Sequence, residues 1–531
     1  MSGTNGLPDL PRGWAWAALG DIAFIKLGKM LSPKAFERDL QQLPYLRNEN
    51  VRWFSIDTSD VKLMGFTPEE IEKFRLHVGD LLVCEGGEPG RCAIVTPATS
   101  HFMYQKALHR VRPIANTVDP RLLQYFFKRF IDSGSVIERR SETTIQHLPM
   151  EKMVRVPVPL PPRNEQARIV AKIEELFSDL DAGVAALHRV RANLKRYRAA
   201  VLKAAVEGRL TETWRQDHPS TEPASMLLER ILIERRQKWE QDQPAKYAAT
   251  GKSPPQNWRE KYQEPAAPDI ANLPELLAGW CWTTIQQLNV GDRPIAYGVL
   301  QPGRDVSAGV PLIRVCDVGE GRVDVDQIKR IAPEISAQFQ RTVVEGGEVL
   351  LTIVGTIGRT AVVPDSLRGA NTARAVAVIP ITPLLDARYV EINLRESSMR
   401  ARLTKAAHEV ARKTLNLEDV RPACIPLAPV DEQGQMIAEA ERRLSVADAV
   451  EAEIVNDSKR ASRLRQSILK RAFDGKLVPQ DPADEPASTL VDRIKTARST
   501  SATKSTGQKE HRVRAGRYKE PANECLFSQE G

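Results

Sequence analysis

Three short patterns in this chain have the residue types of a chemical site. Gly251-Lys252-Ser253 has the ending of a phosphate-binding loop, in which backbone amides cradle a phosphate and the lysine reaches its oxygens. The glycine required five residues before Gly251 is Lys246, and two prolines follow where a helix should start, so the match is accidental. Gly319-Glu320-Gly321 opens like a dinucleotide fingerprint, but Asp324 stands in the last glycine position. Pro8-Asp9 with Asp60-Val61-Lys62 offers two carboxylates and a lysine of nuclease type, a pattern short enough to arise by chance in 531 residues. No Asn- or Asp-Pro-Pro-aromatic tetrapeptide of an amino-methyltransferase is present. The eight histidines form no pair at metal spacing, and the six cysteines (Cys84, Cys92, Cys281, Cys316, Cys424, Cys525) form no Cys-x2-Cys pair. His109, inside the alternating run Ala107-Leu108-His109-Arg110-Val111, is expected on a strand surface. No active site is legible.

The bulk chemistry bears on the class of partner. The chain carries a formal charge of +8 with a pI of about 9.1, which suits an anionic partner such as nucleic acid. Its 531 residues exceed what one core organises, so several domains are expected. No apolar run approaches the roughly 18 residues of a membrane span, and the N-terminus has no apolar signal core. The expectation is a cytoplasmic protein with no membrane partner.

The elements that must position any site are duplicated. Val158-Pro159-Leu160-Pro161-Pro162-Arg163-Asn164-Glu165-Gln166 returns, shifted by 267 residues, as Ile425-Pro426-Leu427-Ala428-Pro429-Val430-Asp431-Glu432-Gln433. The same shift carries Gly208-Arg209-Leu210 into Gly475-Lys476-Leu477, and Gly13-Trp14-Ala15-Trp16 returns as Gly279-Trp280-Cys281-Trp282. A chain made twice suggests a partner that is itself two-fold.

After each proline-rich copy the pattern is helical. Ile169, Ile173, Leu176, Leu180, Gly183, Leu187, Val190, Leu194, Tyr197 and Val201 alternate steps of four and three, the spacing of a coiled-coil seam. Asn164 and Asp431 are placed as N-caps, and Gly208 and Gly475 as C-terminal stops. The span from 165 to 207 gives a helix of roughly 65 Å. In the second copy Ala440, Arg443, Ala447, Asp457 and Ala461 fall on the seam among Met436, Val450, Ile454, Leu464 and Ile468. Those small and charged residues suit antiparallel pairing of the two helices in one chain; packing of each helix on its own domain is the alternative. A shorter amphipathic helix follows each long one, Glu222-Pro223-Ala224-Ser225 matching Glu485-Pro486-Ala487-Ser488. The stretches 241–268 and 496–516 are too polar to fold alone.

Residues 1–157 and 267–424 share landmarks while differing between them. Pro44-Tyr45-Leu46-Arg47 matches Pro311-Leu312-Ile313-Arg314, and Gly87-Glu88-Pro89-Gly90-Arg91 matches Gly355-Thr356-Ile357-Gly358-Arg359. Shared strands with unlike loops suit two binding modules of different specificity; neutral drift of loops is the bland alternative.

These residues resemble the specificity subunits of type I restriction-modification enzymes. The resemblance rests on the doubled Pro-Leu-x-Pro-x-x-(Asn/Asp)-Glu-Gln heading each long helix, the Gly-x-x-Gly-Arg turns, the paired Gly-Trp-x-Trp starts and Asp484-Glu485-Pro486-Ala487. It implies an α+β fold: two α/β target-recognition domains separated by two long antiparallel helices, a pseudo-two-fold repeat. The implied organisation is target-recognition domain 1 at 1–157, spacer helix 1 at 158–211, a short helix and polar linker at 212–266, target-recognition domain 2 at 267–424, spacer helix 2 at 425–478, a short helix at 479–498 and a basic tail at 499–531. It further implies double-stranded DNA as ligand, read as a gapped bipartite site, with two methyltransferase subunits and motor-nuclease subunits as partners. No cofactor is expected in this chain; S-adenosylmethionine, ATP and magnesium would serve the partners, and the chain itself would be non-catalytic.

On that reading the DNA-binding candidates are Arg47, Asn48, Lys106, Thr144 and Gln146 in the first domain and Arg314, Arg359, Asn371, Arg412 and Lys413 in the second. Arginine can pair bidentately with guanine, Asn or Gln with adenine, and lysine neutralises phosphate. Arg91 and Arg359 have the alternative of bracing their glycine turns. The stretch from Arg189 to Lys203, free of acidic residues, could follow the DNA backbone, meet an acidic partner surface or face solvent. A self-sufficient nuclease and a protein-binding assembly adaptor are the rival functions.

Overall fold

A computed structural model describes residues 7–31, 40–114, 117–134, 147–249, 251, 253–291, 293–409 and 413–496. Helices and strands are mixed throughout, an α+β content. The chain divides into two compact units, residues 1–187 with 456–531, and residues 188–455.

In the first unit a four-stranded sheet runs in the order Ala23–Leu27, Leu108–Pro113, Leu81–Cys84, Cys92–Ile94, all antiparallel. The central strand reads Leu-Leu-Val-Cys with no polar alternation because both of its faces are covered. Leu81 and Val83 enter the core that holds the helix Pro120–Asp132, while Leu82 and Cys84 enter a second core under a smaller sheet. That smaller sheet pairs Gln41–Leu46 antiparallel with Lys62–Phe66 and parallel with Met103–Tyr104. Ala15–Ala18 and Pro157–Leu160 close the globular part as an antiparallel pair.

The second unit repeats this plan strand for strand. Its four-stranded sheet is Ala296–Tyr297, Val376–Ile379, Val349–Thr352, Thr360–Val362, and its smaller sheet is Lys329–Ile331, Val310–Ile313, Asn371–Thr372, again with one parallel pair. Cys281–Thr284 and Cys424–Leu427 close it. Val349 and Leu351 lie in one core and Leu350 in another, as in the first unit.

Each unit also carries the same helix-to-helix brace. Asp119 caps Pro120–Asp132 by accepting from the Arg121 amide (2.8 Å), and Arg121 reaches Glu174 on the first long helix (3.2 Å). Asp386 caps Ala387–Arg395 through the Arg388 amide (2.9 Å), and Arg388 reaches Glu441 on the second long helix (3.3 Å). Every residue of the brace keeps the 267-residue shift, so the repeat is one of side-chain function as well as of strands.

The long helices span Arg163–Val206 and Val430–Phe473. Both stop as expected. Gly208 and Gly475 take φ of +67°, with the Gly208 amide on the Ala205 carbonyl (2.9 Å) and the Arg209 amide on that of Ala204 (2.8 Å). The Gly475 and Lys476 amides bond Ala472 and Arg471 in the same way. A glycine is needed there because left-handed backbone crowds a Cβ. The starts differ from the sequence reading. Pro162 and Pro429 occupy the capping position, their carbonyls accepting from Gln166 (3.0 Å) and Gln433 (3.1 Å). A proline lacks an amide but keeps its carbonyl, so it can open a helix; Asn164 lies inside the first turn and bonds Asp484 instead (3.1 Å).

The apolar seam is discontinuous. Ile169, Ile173 and Val201 are buried, whereas Val190 and Tyr197 are 42% and 43% exposed. In the second unit charges take over where apolar contact lapses: Arg191 meets Glu451 (3.3 Å) and Arg198 meets Asp448 (2.6 Å) and Glu451 (2.5 Å). Rising numbers on one helix meet falling numbers on the other, so this stretch pairs in opposite senses. In the first unit Arg465 pairs with Asp181 and lies over the Phe177 ring at 5.5 Å. The alanines Ala440, Ala447 and Ala461 are buried.

Two further features depart from the sequence reading. The segment after the first long helix forms a helix over Ala224–Ala249, so residues 241–249 are ordered despite their polarity. Trp239 gives that helix an apolar anchor, packing on Trp258 (5.8 Å between rings) and Tyr262 (5.2 Å). The matched Glu-Pro-Ala-Ser segments also dock alike: the Ala224 amide bonds Gly279 O, and the Ala487 amide bonds Gly13 O, both at 2.8 Å. Each short helix thus packs on the globular part that the other long helix directly follows.

Candidate nucleic-acid interface

In the first unit three loops are stitched together at one end of the larger sheet. The Glu85 amide donates to Ala107 O (2.9 Å), and the Leu148 amide donates to Glu85 O (2.7 Å). The turn 105–107 is held on its other side by Lys29, whose amide bonds Tyr104 O (3.1 Å) and whose carbonyl accepts from the Lys106 amide (2.6 Å). Ala107 sits at φ +88°, a strained position for a residue with a Cβ. With its backbone tied on both sides, Lys106 projects an exposed ammonium group.

The second unit builds the same junction, with Ala375 and Leu415 matching Ala107 and Leu148 and Ile353 standing in the place of Glu85. The Ile353 amide bonds Ala375 O (2.9 Å), the Leu415 amide bonds Ile353 O (2.8 Å), and the Arg374 amide bonds Val299 O (2.9 Å). Arg374 is therefore the backbone counterpart of Lys106, and it is exposed as well. Among the described residues neither cation has a carboxylate partner. A fixed, unneutralised cation in one frame in both units is chemistry that suits phosphate. The sequence reading named Lys106 but missed Arg374; carrying the shift of 268 found at the glycine turns from Lys106 reaches it.

Beside each junction lies the glycine turn. Gly90 and Gly358 take φ of +87° and +86°, their amides bonding Cys84 O and Thr352 O, both at 2.9 Å. Arg91 braces its turn: it pairs with Glu88 (2.9 Å) and donates to Asn48 O (2.8 Å). Arg359 is half-buried and its side chain makes no such contact among the described residues; its amide donates to Thr352 Oγ1 (2.9 Å) and its carbonyl accepts from the Thr352 amide (2.9 Å).

The other candidates divide by placement. Arg47 is held by Glu49 and Asp60, each at 2.8 Å, and Arg314 by Asp317 (2.8 Å), whose carboxylate raises the guanidinium pKa further. Both arginines end the middle strand of the smaller sheet and shape the loop that follows. The Asn48 side chain donates to Gly86 O (3.0 Å), and its Oδ1 is buried without a partner among the described residues. Asn371 needs correction as a base reader. It is fully buried, accepting from Thr342 Oγ1 (2.7 Å) and donating to Ser336 Oγ (3.0 Å), so its amide faces the interior. Lys413 is exposed on the hairpin His408–Glu409/Lys413–Thr414, at an open recess of about 480 Å³ that Arg400 and Lys405 also line. Thr144, Gln146 and Arg412 lie outside the described residues, as does Lys252 of the Gly-Lys-Ser segment.

His109 is another correction. It is fully buried, with Nε2 on the Leu148 carbonyl (3.0 Å), and burial pulls its pKa down. Alternation suggested a surface position, but both faces of this strand are covered. The histidine serves as a brace between the sheet and the third loop of the junction.

Of the nuclease-like set, Asp60 is engaged by Arg47. Among the described residues no group of three or more His, Cys, Asp or Glu is arranged to hold a metal, and no helix is long and apolar enough to cross a membrane.

Residues 11–186 match the family described as the type I restriction modification DNA specificity domain. Over 516 residues the chain is 30% identical to the Escherichia coli type I restriction enzyme EcoBI specificity subunit, covering 95% of this chain and 96% of that one. It is 22% identical over 531 residues to the EcoKI specificity subunit of Escherichia coli strain K12, with coverage of 94% and 98%. A solved structure described as the structural basis underlying complex assembly and conformational transition of the type I R-M system aligns with a TM-score of 0.57 at 18% identity, covering 88% of this chain and 100% of that one.

Proposed function

Because the chain belongs to the family of type I restriction enzyme specificity subunits, we propose that its two exposed loop junctions are the DNA-facing surfaces of a bipartite reader. The chain recognises DNA sequence within a type I restriction-modification complex and assembles there with methyltransferase and motor-nuclease subunits. The observation that carries the proposed surface is the pair Lys106 and Arg374: the same backbone frame, the same exposure, and no ion-pair partner among the described residues.

The division of labour follows from chemistry. Cations on rigid turns fix the register of each unit on the phosphate backbone, and the unlike loops beside them read base edges. Half-sites on one face of B-DNA recur at roughly 34–36 Å, a spacing that long helices can set. Accordingly residues 1–157 and 267–424 act as target-recognition domains, and the helices of 158–211 and 425–478 form an antiparallel spacer between them. The short helices and linkers at 212–266 and 479–498 tie each domain to the spacer, and 499–531 is a basic tail. Chemistry on DNA belongs to the partners, which bind S-adenosylmethionine, ATP and magnesium; this chain is non-catalytic.

The test is binding of the chain with its methyltransferase partner to a gapped duplex carrying the cognate half-sites, located by mapping methylated bases in cells with and without the chain. Tight binding to that duplex over random duplex supports the reading, and equal binding would favour an assembly adaptor. Cleavage of DNA by the purified chain with magnesium alone would establish a nuclease instead.

A further inference from the structure

The matching glycine turns of the two units hold their arginines in unlike states. In the first unit Arg91 is committed to its turn. It pairs with Glu88 (2.9 Å), donates to Asn48 O (2.8 Å), and has its Nε buried without a partner among the described residues. Glu88 is itself held from behind by the Trp53 indole (2.7 Å). In the second unit the shift of 268 carries Glu88 to Thr356 and Arg91 to Arg359. Thr356 is exposed and offers no carboxylate. Among the described residues the Arg359 side chain has no hydrogen-bond or ion-pair partner, and its guanidinium nitrogens are open to solvent.

The backbone beneath that free head is fixed. Gly358 takes φ of +86° with its amide on Thr352 O, and the amide and carbonyl of Arg359 are both tied to Thr352, each at 2.9 Å. The residue is half-buried, so the stem is packed and the guanidinium has little freedom left to lose on binding.

A rigid fork of donors with no acceptor fits a base edge that carries two neighbouring acceptors. In the major groove guanine presents such an edge, O6 and N7. Adenine and cytosine place an amino group there, and thymine has one acceptor beside its methyl group. The phosphate role is filled in both units by one backbone frame, that of Lys106 and Arg374. An arginine released in one unit only suits a contact to one half of an asymmetric site.

We propose that Arg359 is a guanine reader of the second unit, its guanidinium donating to O6 and N7 of one guanine in the half-site that this unit meets. The proposal rests on the DNA-reading function given above. Thr356 is the residue that leaves Arg359 available, since a carboxylate in its place would recreate the Glu88–Arg91 pair.

The chain assembled with its methyltransferase partner is titrated by anisotropy against the cognate duplex, each guanine replaced in turn by 7-deazaguanine, which lacks the N7 acceptor. At one guanine the replacement should weaken wild-type binding roughly tenfold or more, the loss of one hydrogen bond from a charged donor. The same replacement should cost the Arg359→Ala and Thr356→Glu complexes nothing further, because the contact is already absent. Thr356→Glu changes an exposed turn position and keeps the arginine, so it carries the test even where Arg359→Ala fails to fold. If cognate duplex is preferred over random duplex but no guanine shows a penalty that either variant removes, the proposal is overturned and the DNA-reading function stands. Equal loss of cognate and random binding in Arg359→Ala would also overturn it, since the arginine would then meet phosphate. No preference of the wild-type complex for cognate duplex would overturn both.

Discussion

The Trp14 indole donates to Glu165 Oε2 at 3.0 Å, tying the start of the first globular part to the first long helix across 151 positions of sequence. Trp280 and Glu432 repeat the bond at 2.9 Å. The copies diverge on the other carboxylate oxygen. Glu432 Oε1 accepts from Thr211 Oγ1 (2.7 Å) and pairs with Arg215, whereas Glu165 Oε1 is buried with no partner among the described residues. Burial pushes the Glu165 pKa up, with Asp484 adding to the effect and the Trp14 bond and Arg168 opposing it.

Opposite outcomes are therefore expected from the same substitution. Glu432→Gln breaks an ion pair and should cost about 1–3 kcal/mol. Glu165→Gln removes an under-solvated charge and should be neutral, or stabilising by up to about 1 kcal/mol, near pH 7. Because the folded pKa of Glu165 is raised, its contribution is fully present below the ordinary carboxylate value and is lost as pH rises through the folded value. The Glu165→Gln protein should lack that loss. Denaturant melts of both variants between pH 4 and pH 7 check this, and equal destabilisation would count against it.

His109 works in the other direction. Its pKa is lowered by burial, and Nδ1 is buried without an acceptor among the described residues, so the folded state holds the neutral ring with Nε2–H on Leu148 O. Stability from this group is present above the unfolded histidine value, about 6.5, and is lost as pH falls towards the folded value. His109→Asn should flatten the stability profile between pH 7 and pH 5. An unchanged slope would assign the acid sensitivity elsewhere.

Lys106→Ala and Arg374→Ala should each weaken DNA binding by a similar factor for cognate and random duplex. Each should lower the salt slope by about one unit, as expected for a single phosphate contact. Anisotropy titrations of the assembled complex over a range of potassium chloride measure both quantities. A loss confined to the cognate duplex would make these residues base readers.

Arg314→Lys tests the opposite role. Lysine cannot hold Asp317 through two guanidinium nitrogens and reach Gln327 O as well, so the loop at 314–317 should loosen, at about 1–2 kcal/mol. Hydrogen exchange at the Asp317 and Asp324 amides should rise. A wild-type exchange pattern with altered base preference would show that Arg314 contacts DNA.

Inserting one helical turn into both long helices should change the gap between methylated half-sites and leave the half-sites themselves unaltered. Methylation mapping in cells reads this directly. A retained gap would exclude a ruler function.

Much of this was legible before any fold was known, because it is local or periodic. The helix stops at Gly208 and Gly475 follow from what glycine backbone permits, and the strand landmarks follow from turn chemistry. The duplication could be read because a repeat is a property of residue order alone. What pairs with what was different. Arg47 and Arg314 look like free base readers until Asp60 and Asp317 arrive beside them, and Asn371 looks polar and loop-borne until Thr342 and Ser336 enclose it. Arg374 became a candidate only when its backbone bonds matched those of Lys106. Residue order alone set the element types and their two-fold plan, since propensity, capping and period act within a few residues. Folding settled which charges are spent on neighbours and which remain for DNA, because those are outcomes of contacts between residues far apart in the chain.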